Sequence, residues 1–276
     1  MRSLPLTLII GAAGKTGRRV ADRLETAGWP VRRASRSTAP AFDWTRRETW
    51  SGALDGVEQV YVTYQPDLAV PQAQGDIAHL LDLCAAHGVK RLVLLSGRGE
   101  PGAQACERLV LDGPLTATVV RASWFAQNFD EGVLTDMVRA GVVALPVGTV
   151  REPFVDVDDI ADVAFAALTG DGHGGAIYEV TGPRLLGFEE AVATIADAAG
   201  RPVQLVRVSP EDFHRGALDA GLPPPVADFL VELFATTLDG RNAYVVDGVQ
   251  RALGRPARDF ADYAARAAAT GVWSAS

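Results

Sequence analysis

Apolar and polar positions follow two rhythms along the first half of the chain. Leu6-Thr7-Leu8-Ile9-Ile10 is a compact apolar run stopped by Gly11, the pattern of a strand buried on both faces of a parallel sheet. Residues 16–27 then repeat at helical spacing. Val20, Leu24 and Ala27 fall on one side, Arg18, Arg19, Asp22 and Arg23 on another, and Gly28 ends the helix. Strands are predicted again over 31–35 and 57–63. A helix over 75–87 carries Ile77, Leu80, Leu81 and Cys84 on one stripe, with Gly88 as its stop. A strand over 91–96, a weaker helix over 102–112 and a strand over 116–121 follow. This alternation predicts an α/β, Rossmann-type, doubly wound parallel sheet.

The second half is less regular. Asp156 or Asp158 opens a helix that runs to Leu168. Strands are predicted over 176–181 and 203–208, and helices over 188–199, 210–220, 225–238 and 259–269. Pro223-Pro224-Pro225 reads as a rigid helix entry. No internal repeat or low-complexity segment interrupts the pattern. Residues 1–150 are expected to form the dinucleotide-binding core. Residues 151–276 are expected to complete the sheet and form a smaller C-terminal substrate-covering lobe, the whole a single structural unit.

Composition narrows the setting more than the chemistry. The 276 residues are 48% hydrophobic, enough for a sizeable core. A net charge of −8 argues against a nucleic-acid partner. Cys84 and Cys106 stand alone and His79, His87, His173 and His214 are scattered, so neither a disulfide framework nor a metal site is expected. The first apolar run is too short for a signal sequence or a membrane span. The expectation is a cytoplasmic protein, a monomer or a homodimer, acting on a small molecule.

The chemistry begins at the first turn. Gly11-Ala12-Ala13-Gly14-Lys15-Thr16-Gly17 has GxxGxxG spacing, follows a strand and opens a helix. Gly11 permits a sharp turn, Gly14 removes a side chain where backbone approaches a pyrophosphate, and Gly17 permits close helix packing. The helix N-terminus then faces the phosphates. The cofactor-binding candidates here are Gly11, Ala13, Gly14, Lys15, Thr16 and Gly17. Gly14-Lys15-Thr16 is no P-loop ending, because that motif needs glycine at the position of Ile9. A purely structural glycine turn is the other reading.

The second strand ends Arg32-Arg33-Ala34-Ser35-Arg36-Ser37-Thr38, without the carboxylate that binds ribose hydroxyls in NAD-preferring folds. Arg36, with Ser35 or Ser37, suits a 2′-phosphate, which points to NADP(H). Arg33 is a weaker candidate, and a solvated strand end is the alternative. Asp43 is placed near the adenine amino group. Trp44 suits that neighbourhood or the core equally. Ligands in such sheets sit beyond the carboxyl ends of strands. That adds Thr63, Tyr64 and Gln65 after the third strand and Ser96 and Gly97 after the fourth. After the fifth strand, Trp124 and Asn128 are candidates for positioning substrate, within a run of aromatic and amide groups that suits an aromatic or polycyclic ligand. Trp124 and Phe129 would serve a core equally well.

No tyrosine lies between Tyr64 and Tyr178, so the Tyr-x-x-x-Lys acid of standard short-chain dehydrogenases is absent. Tyr64 is the tyrosine at the cofactor edge and the candidate proton donor. An acceptor such as an iminium ion needs no enzyme acid at all. His87 suits its helix C-terminus, and Cys106 is expected to be inert.

The glycine turn, Val89-Lys90-Arg91-Leu92-Val93-Leu94-Leu95-Ser96, and residues 118–129 ending Trp124-Phe125-Ala126-Gln127-Asn128-Phe129 together resemble the NmrA-like atypical short-chain dehydrogenase/reductases over nearly the whole chain. Ala34-Ser35-Arg36-Ser37, Phe42-Asp43-Trp44 and Gly271-Val272-Trp273 resemble the ergot-alkaloid branch, which reduces iminium species with NADPH. The resemblance implies an NADP(H)-dependent reductase of an iminium, quinone or conjugated carbonyl of a small secondary metabolite. The alternative is a catalytically silent NADP(H)-sensing regulator of the same family. The chain departs from the family pattern at Ala122 and Gln127. It keeps Glu107 of a Lys-x-x-x-Glu helix but has Ala103 in place of the lysine.

Overall fold

The computed structural model describes residues 4–274. The chain divides into two compact units. The first comprises the chain up to Ala122, Val157–Val180 and Asp247–Pro256; the second comprises Ser123–Asp156, Thr181–Val246 and the chain from Ala257.

In the first unit β1 (Thr7–Ile10), α1 (Lys15–Thr26), β2 (Val31–Ala34), α2 (Trp50–Leu54), β3 (Gln59–Val62), α3 (Ala73–Ala86), β4 (Arg91–Gly97), α4 (Pro101–Leu111) and β5 (Thr116–Ala122) follow in order. The second unit then takes α5 (Leu134–Ala140), β6 (Val142–Leu145) and β7 (Arg151–Glu152). The first unit resumes with α6 (Val157–Thr169) and β8 (Ile177–Val180). The second continues with β9 (Leu186–Gly187), α7 (Phe188–Ala199), β10 (Gln204–Arg207), α8 (Pro210–Asp219) and α9 (Pro224–Thr237). Last come α10 (Gly248–Leu253) of the first unit and α11 (Phe260–Ala269) of the second.

The first unit is built on a six-stranded sheet in the order β2-β1-β3-β4-β5-β8, parallel throughout. The strand order reverses direction between β1 and β3, which makes the gap beyond their carboxyl ends the switch point of the sheet. All four residues of β1 and of β3 are buried, as central strands require. β2 lies at the edge and carries Arg32 and Arg33, charges that discourage further strand pairing. Leu8, Ile10, Val60, Val62, Leu92 and Leu94 face a core completed by α2, α3 and α4. Helices α1 and α6 pack on one another and against the sheet, tied by Arg23 to Asp162 at 2.6 Å and to Asp158 at 2.8 Å. A buried polar pair pins α6 to the sheet: Thr7 Oγ1 donates to Gln59 Oε1 and Gln59 Nε2 to the Leu168 carbonyl, both at 3.0 Å.

The second unit has an aromatic core. Phe129, Phe154, Phe188, Phe213, Phe234, Phe260, Tyr263 and Trp273 are all buried in one cluster. β6 pairs in parallel with β10, and β7 antiparallel with β9. Trp273, from the near-terminal Gly-Val-Trp, donates its indole N–H to the Phe129 carbonyl at 2.8 Å.

Long periodic elements lie within a residue or two of their expected bounds, and α9 begins inside the proline run. The short α2, α5, β6, β7, β9 and α10 span too few residues to repeat a pattern and are not foreseen. Cys84 and Cys106 are buried free thiols, and burial raises them to about 12 and about 11, out of nucleophilic range. Among the described residues no helix is long and apolar enough to cross a membrane.

Candidate active site

The turn after β1 is shaped by what its glycines lack. Gly11 has φ +79°, and a Cβ there would overlap Thr63 Oγ1. Its N–H and that of Ala12 both donate to the Ala34 carbonyl at the end of β2, at 3.1 and 3.2 Å. Gly14 stands at the N-cap of α1 with extended backbone and donates to the Gly11 carbonyl at 2.9 Å. A Cβ on Gly17 would overlap that same carbonyl, so Gly17 packs the helix against the turn itself rather than against the strand. Thr16 and Gly17 are buried, Gly14 and Lys15 half-buried, and Ala13 exposed. No acidic residue occupies the first turn of α1. The result is a helix N-terminus, with its positive dipole end, beside backbone bare of side chains. That is what a dinucleotide pyrophosphate needs, and the residues present fit it.

At the end of β2 the three arginines separate. Arg32 donates to the carbonyls of Ala53 and Asp55. Arg33 is held by Asp22 at 2.5 Å and Glu25 at 2.7 Å, so it is engaged within the protein. Arg36 is exposed and forms no contact ion pair among the described residues; its charge acts on Asp43 from a distance. Ser35 and Ser37 hydroxyls lie 3.2 Å apart next to it. Asp43 is held below the ordinary carboxylate range, first by the Thr45 backbone N–H and then by the Thr45 hydroxyl. Trp44 sits partly buried against the first core and donates to the Thr63 carbonyl at 3.0 Å.

The β3 end meets the turn at the switch point. Thr63 Oγ1 donates to the Ile10 carbonyl at 3.0 Å, bracing the strand that carries Gly11. Tyr64 is 9% exposed, its ring 4.5 Å from that of Trp44. Its hydroxyl donates to Asp76 Oδ2 at 2.7 Å, and Arg47 binds the other Asp76 oxygen at 2.7 Å. Burial, and then Asp76, push the phenol well above its ordinary value. Gln65 is exposed.

The β4 end carries a network that sequence reasoning missed. Ser96, 4% exposed, donates to Glu107 Oε1 at 2.5 Å. Arg121 of β5 grips both oxygens of Glu107 and reaches Glu179 of β8 at 3.3 Å. Arg98, 3% exposed, donates to Glu179 at 2.7 Å. The cation paired with Glu107 is therefore Arg121, and Ala103 is wholly buried in the core. Gly97, between Ser96 and Arg98, is half-buried, and a Cβ on it would overlap the Glu100 carboxyl.

Trp124 and Asn128 belong to the second unit. Trp124 is half-buried at the margin of the aromatic core, its ring 5.2 Å from Phe234 and 6.1 Å from Phe188, with its N–H 3.3 Å from Thr237 Oγ1. Phe129 is core. Asn128 is half-buried at the end of a short 3-10 turn, Ala126–Asn128. Gln127, buried, donates to Asp156 at 2.8 Å. Among the described residues no cluster of His, Cys, Asp and Glu could hold a metal ion.

No family model matches the chain. Whole-chain relatives do. The chain is 31% identical to the NAD(P)H azoreductase of Xenophilus azovorans, over 97% of this chain and 100% of that one. It is 35% identical to the (4-alkanoyl-5-oxo-2,5-dihydrofuran-3-yl)methyl phosphate reductase of Streptomyces griseus, over 94% and 97%. Festuclavine dehydrogenase of Aspergillus fumigatus is 28% identical over 92% and 96%. Among solved structures, the Escherichia coli NADPH-dependent quinone oxidoreductase has the same fold, with a TM-score of 0.78 at 20% identity over 95% and 99% of the two chains.

Proposed function

The chain belongs to the NmrA-like atypical short-chain dehydrogenase/reductases and is an NAD(P)H-dependent reductase, and from that premise we propose that it uses NADPH to reduce a polarised double bond in a small, aromatic or polycyclic metabolite. The acceptor class is an iminium, a quinone or a conjugated carbonyl. One observation carries the reading: a helix N-terminus beside a turn cleared of side chains, at the switch point of a parallel sheet. The names of the relatives, an azoreductase, a reductase of a dihydrofuranone phosphate and a festuclavine dehydrogenase, support an electron-poor π-bond as the target.

Backbone from Gly11, Ala13, Gly14, Lys15, Thr16 and Gly17 holds the pyrophosphate. Arg36, with Ser35, holds the 2′-phosphate: Arg32 is spent on backbone carbonyls and Arg33 on Asp22 and Glu25, whereas among the described residues Arg36 has no contact partner. Asp43, kept ionised by Thr45, accepts from the adenine amino group. Thr63, Tyr64, Gln65, Ser96 and Gly97 line the edge where the reacting ring lies. The cofactor, when bound, supplies the hydride. Tyr64 shapes this edge with its ring, while its hydroxyl keeps its proton and donates it in a hydrogen bond to Asp76. The second unit is the candidate substrate lobe, in which Trp124 and Asn128 serve to orient the acceptor, the indole by stacking and the amide by hydrogen bonding.

The test is loss of NADPH absorbance against a panel of quinones, cyclic iminium ions and enones, with reduced products identified by mass. Turnover of at least one class is expected. Tight NADPH binding with no turnover across the panel would make the protein a silent sensor instead.

A further inference from the structure

We propose that Glu100 is the proton donor of the reduction, delivering to a quinone or conjugated carbonyl the proton that an iminium does not need. The inference rests on the reductase reading above.

Glu100 occupies the N-cap position of α4, yet its side chain caps nothing. The carboxyl folds back onto the Cα of Gly97, the last residue of β4, and occupies the space that a Cβ there would take. This is the carboxyl edge of the sheet, next to Ser96. Among the described residues no hydrogen-bond donor reaches the Glu100 carboxyl. Its neighbour from the loop after β3, Asp67, is also shielded from water but accepts the Ala69 N–H at 2.7 Å. Two carboxyls in one low-dielectric place cannot both ionise cheaply. The hydrogen-bonded one keeps the charge and the other keeps the proton, the arrangement that separates base from acid in paired-carboxylate sites. Burial first, and the Asp67 charge second, raise Glu100 to about 7, which suits a donor at neutral pH.

The other groups along this edge are committed. The Tyr64 hydroxyl donates to Asp76, Ser96 donates to Glu107, and Arg98 and Arg121 are paired with Glu179 and Glu107. Asp67 is the ionisable group whose charge acts on Glu100.

With a conjugated carbonyl as acceptor, hydride and proton arrive at opposite ends of the conjugated system. The β-carbon gains a C–H bond from the hydride of NADPH, which leaves as NADP+. The C=C pair shifts toward the carbonyl oxygen. The Glu100 O–H bond breaks and an O–H bond forms on the enol, which becomes the ketone in water. The Glu100 carboxylate is reprotonated from solvent.

The experiment compares wild type, Glu100→Gln and Glu100→Asp on a quinone and on a cyclic iminium ion, alongside infrared titration of carboxyl C=O stretches in the cofactor-free protein. We expect Glu100→Gln to lower quinone turnover about 100-fold, within the usual range for a general acid, and to leave iminium turnover within about two-fold, NADPH affinity being unchanged. Glu100→Asp, which retains a carboxyl, should recover part of the quinone rate. A protonated carboxyl band titrating near pH 7 should be present in wild type, shifted in Glu100→Asp and missing in Glu100→Gln. Equal loss on both acceptors, no loss on the quinone, or no carboxyl band surviving above pH 6 would overturn the assignment while leaving wild-type reduction intact. Wild type that binds NADPH and reduces neither acceptor overturns the reductase reading, and the donor with it.

Discussion

The loops after β1 and after β4 occupy equivalent places at the carboxyl edge of one sheet, and they are built from opposite materials. The first is made of backbone. Gly11, Gly14 and Gly17 contribute by having nothing beyond Cα: an added Cβ on each would meet Thr63 or the Gly11 carbonyl at the mouth of the helix. The second is made of buried charge. Ser96, Glu107, Arg121, Glu179 and Arg98 form a chain of hydrogen bonds spanning three strands and a helix. A backbone site needs rigidity of shape, which glycine spacing supplies locally. A charged network needs partners brought from across the fold, and it fixes the loop that carries Gly97 and Glu100.

The largest effect should come from cutting that network. Glu107→Ala removes the acceptor of Ser96 and the main counter-charge of Arg121. It should cost about 3–5 kcal/mol in urea unfolding, the range for stripping one member from a buried ion pair. Glu107→Gln, which keeps one acceptor oxygen, should lose less. A change below about 1 kcal/mol for the alanine variant would mean that the charges are effectively solvated and that the contrast between the two loops is false.

The turn should be the next most sensitive, and it has an internal control. Gly11 and Gly28 share φ +79°, but a Cβ on Gly28 meets nothing within 4 Å. Gly28→Ala should cost only the left-handed strain, about 1–2 kcal/mol. Gly11→Ala adds overlap with Thr63, about 1–3 kcal/mol more, and should also abolish NADPH binding by calorimetry. Equal costs at the two positions would remove the steric argument for the turn.

This asymmetry also explains what could be read without coordinates. GxxGxxG is legible because each glycine has a local reason to be there and the spacing fits one strand and one helix. Arg36 is legible as a charge where a carboxylate is missing, but only the structure separates it from Arg33, whose partners Asp22 and Glu25 lie one helix earlier. The β4 network is not legible. Glu179 lies 81 residues from Arg98 and 58 from Arg121, and nothing local marks them as partners. Gly248 hides in the same way: a Cβ there would overlap the Glu179 carbonyl, a close approach that α10 alone gives no hint of. In the second unit the short elements carry too few residues for periodicity, so an aromatic core drawn from distant segments emerges only on folding.

Arg36 offers a smaller and cleaner test of the backbone loop's partner. Arg36→Ala should raise the KM for NADPH roughly 10- to 100-fold, the loss of charge-assisted hydrogen bonds worth about 1.5–3 kcal/mol, with the KM for NADH little changed. Arg33→Ala should leave both constants near wild type, because its guanidinium is already engaged. Equal effects of Arg36→Ala on the two cofactors would sink the 2′-phosphate assignment.

The smallest effect is expected at Tyr64, and it is the one that tells the two candidate acids apart. Tyr64→Phe removes one hydrogen bond to Asp76, which keeps its contact with Arg47. About 0.5–1.5 kcal/mol of stability should be lost, and the reduction rate should stay within a few-fold. The pH dependence follows from the raised folded-state value of the phenol. A neutral Tyr64 stabilises the fold fully below the ordinary phenol value of about 10, and that contribution declines as pH rises above it. Phenylalanine cannot ionise, so the variant's stability should fall less steeply with pH in that alkaline window. Were Tyr64 the proton donor instead, its loss would cost the quinone reaction 100-fold or more, and Glu100→Gln would cost almost nothing. The two single variants, measured on one acceptor, therefore assign the proton to the buried phenol after β3 or to the uncapped carboxyl after β4.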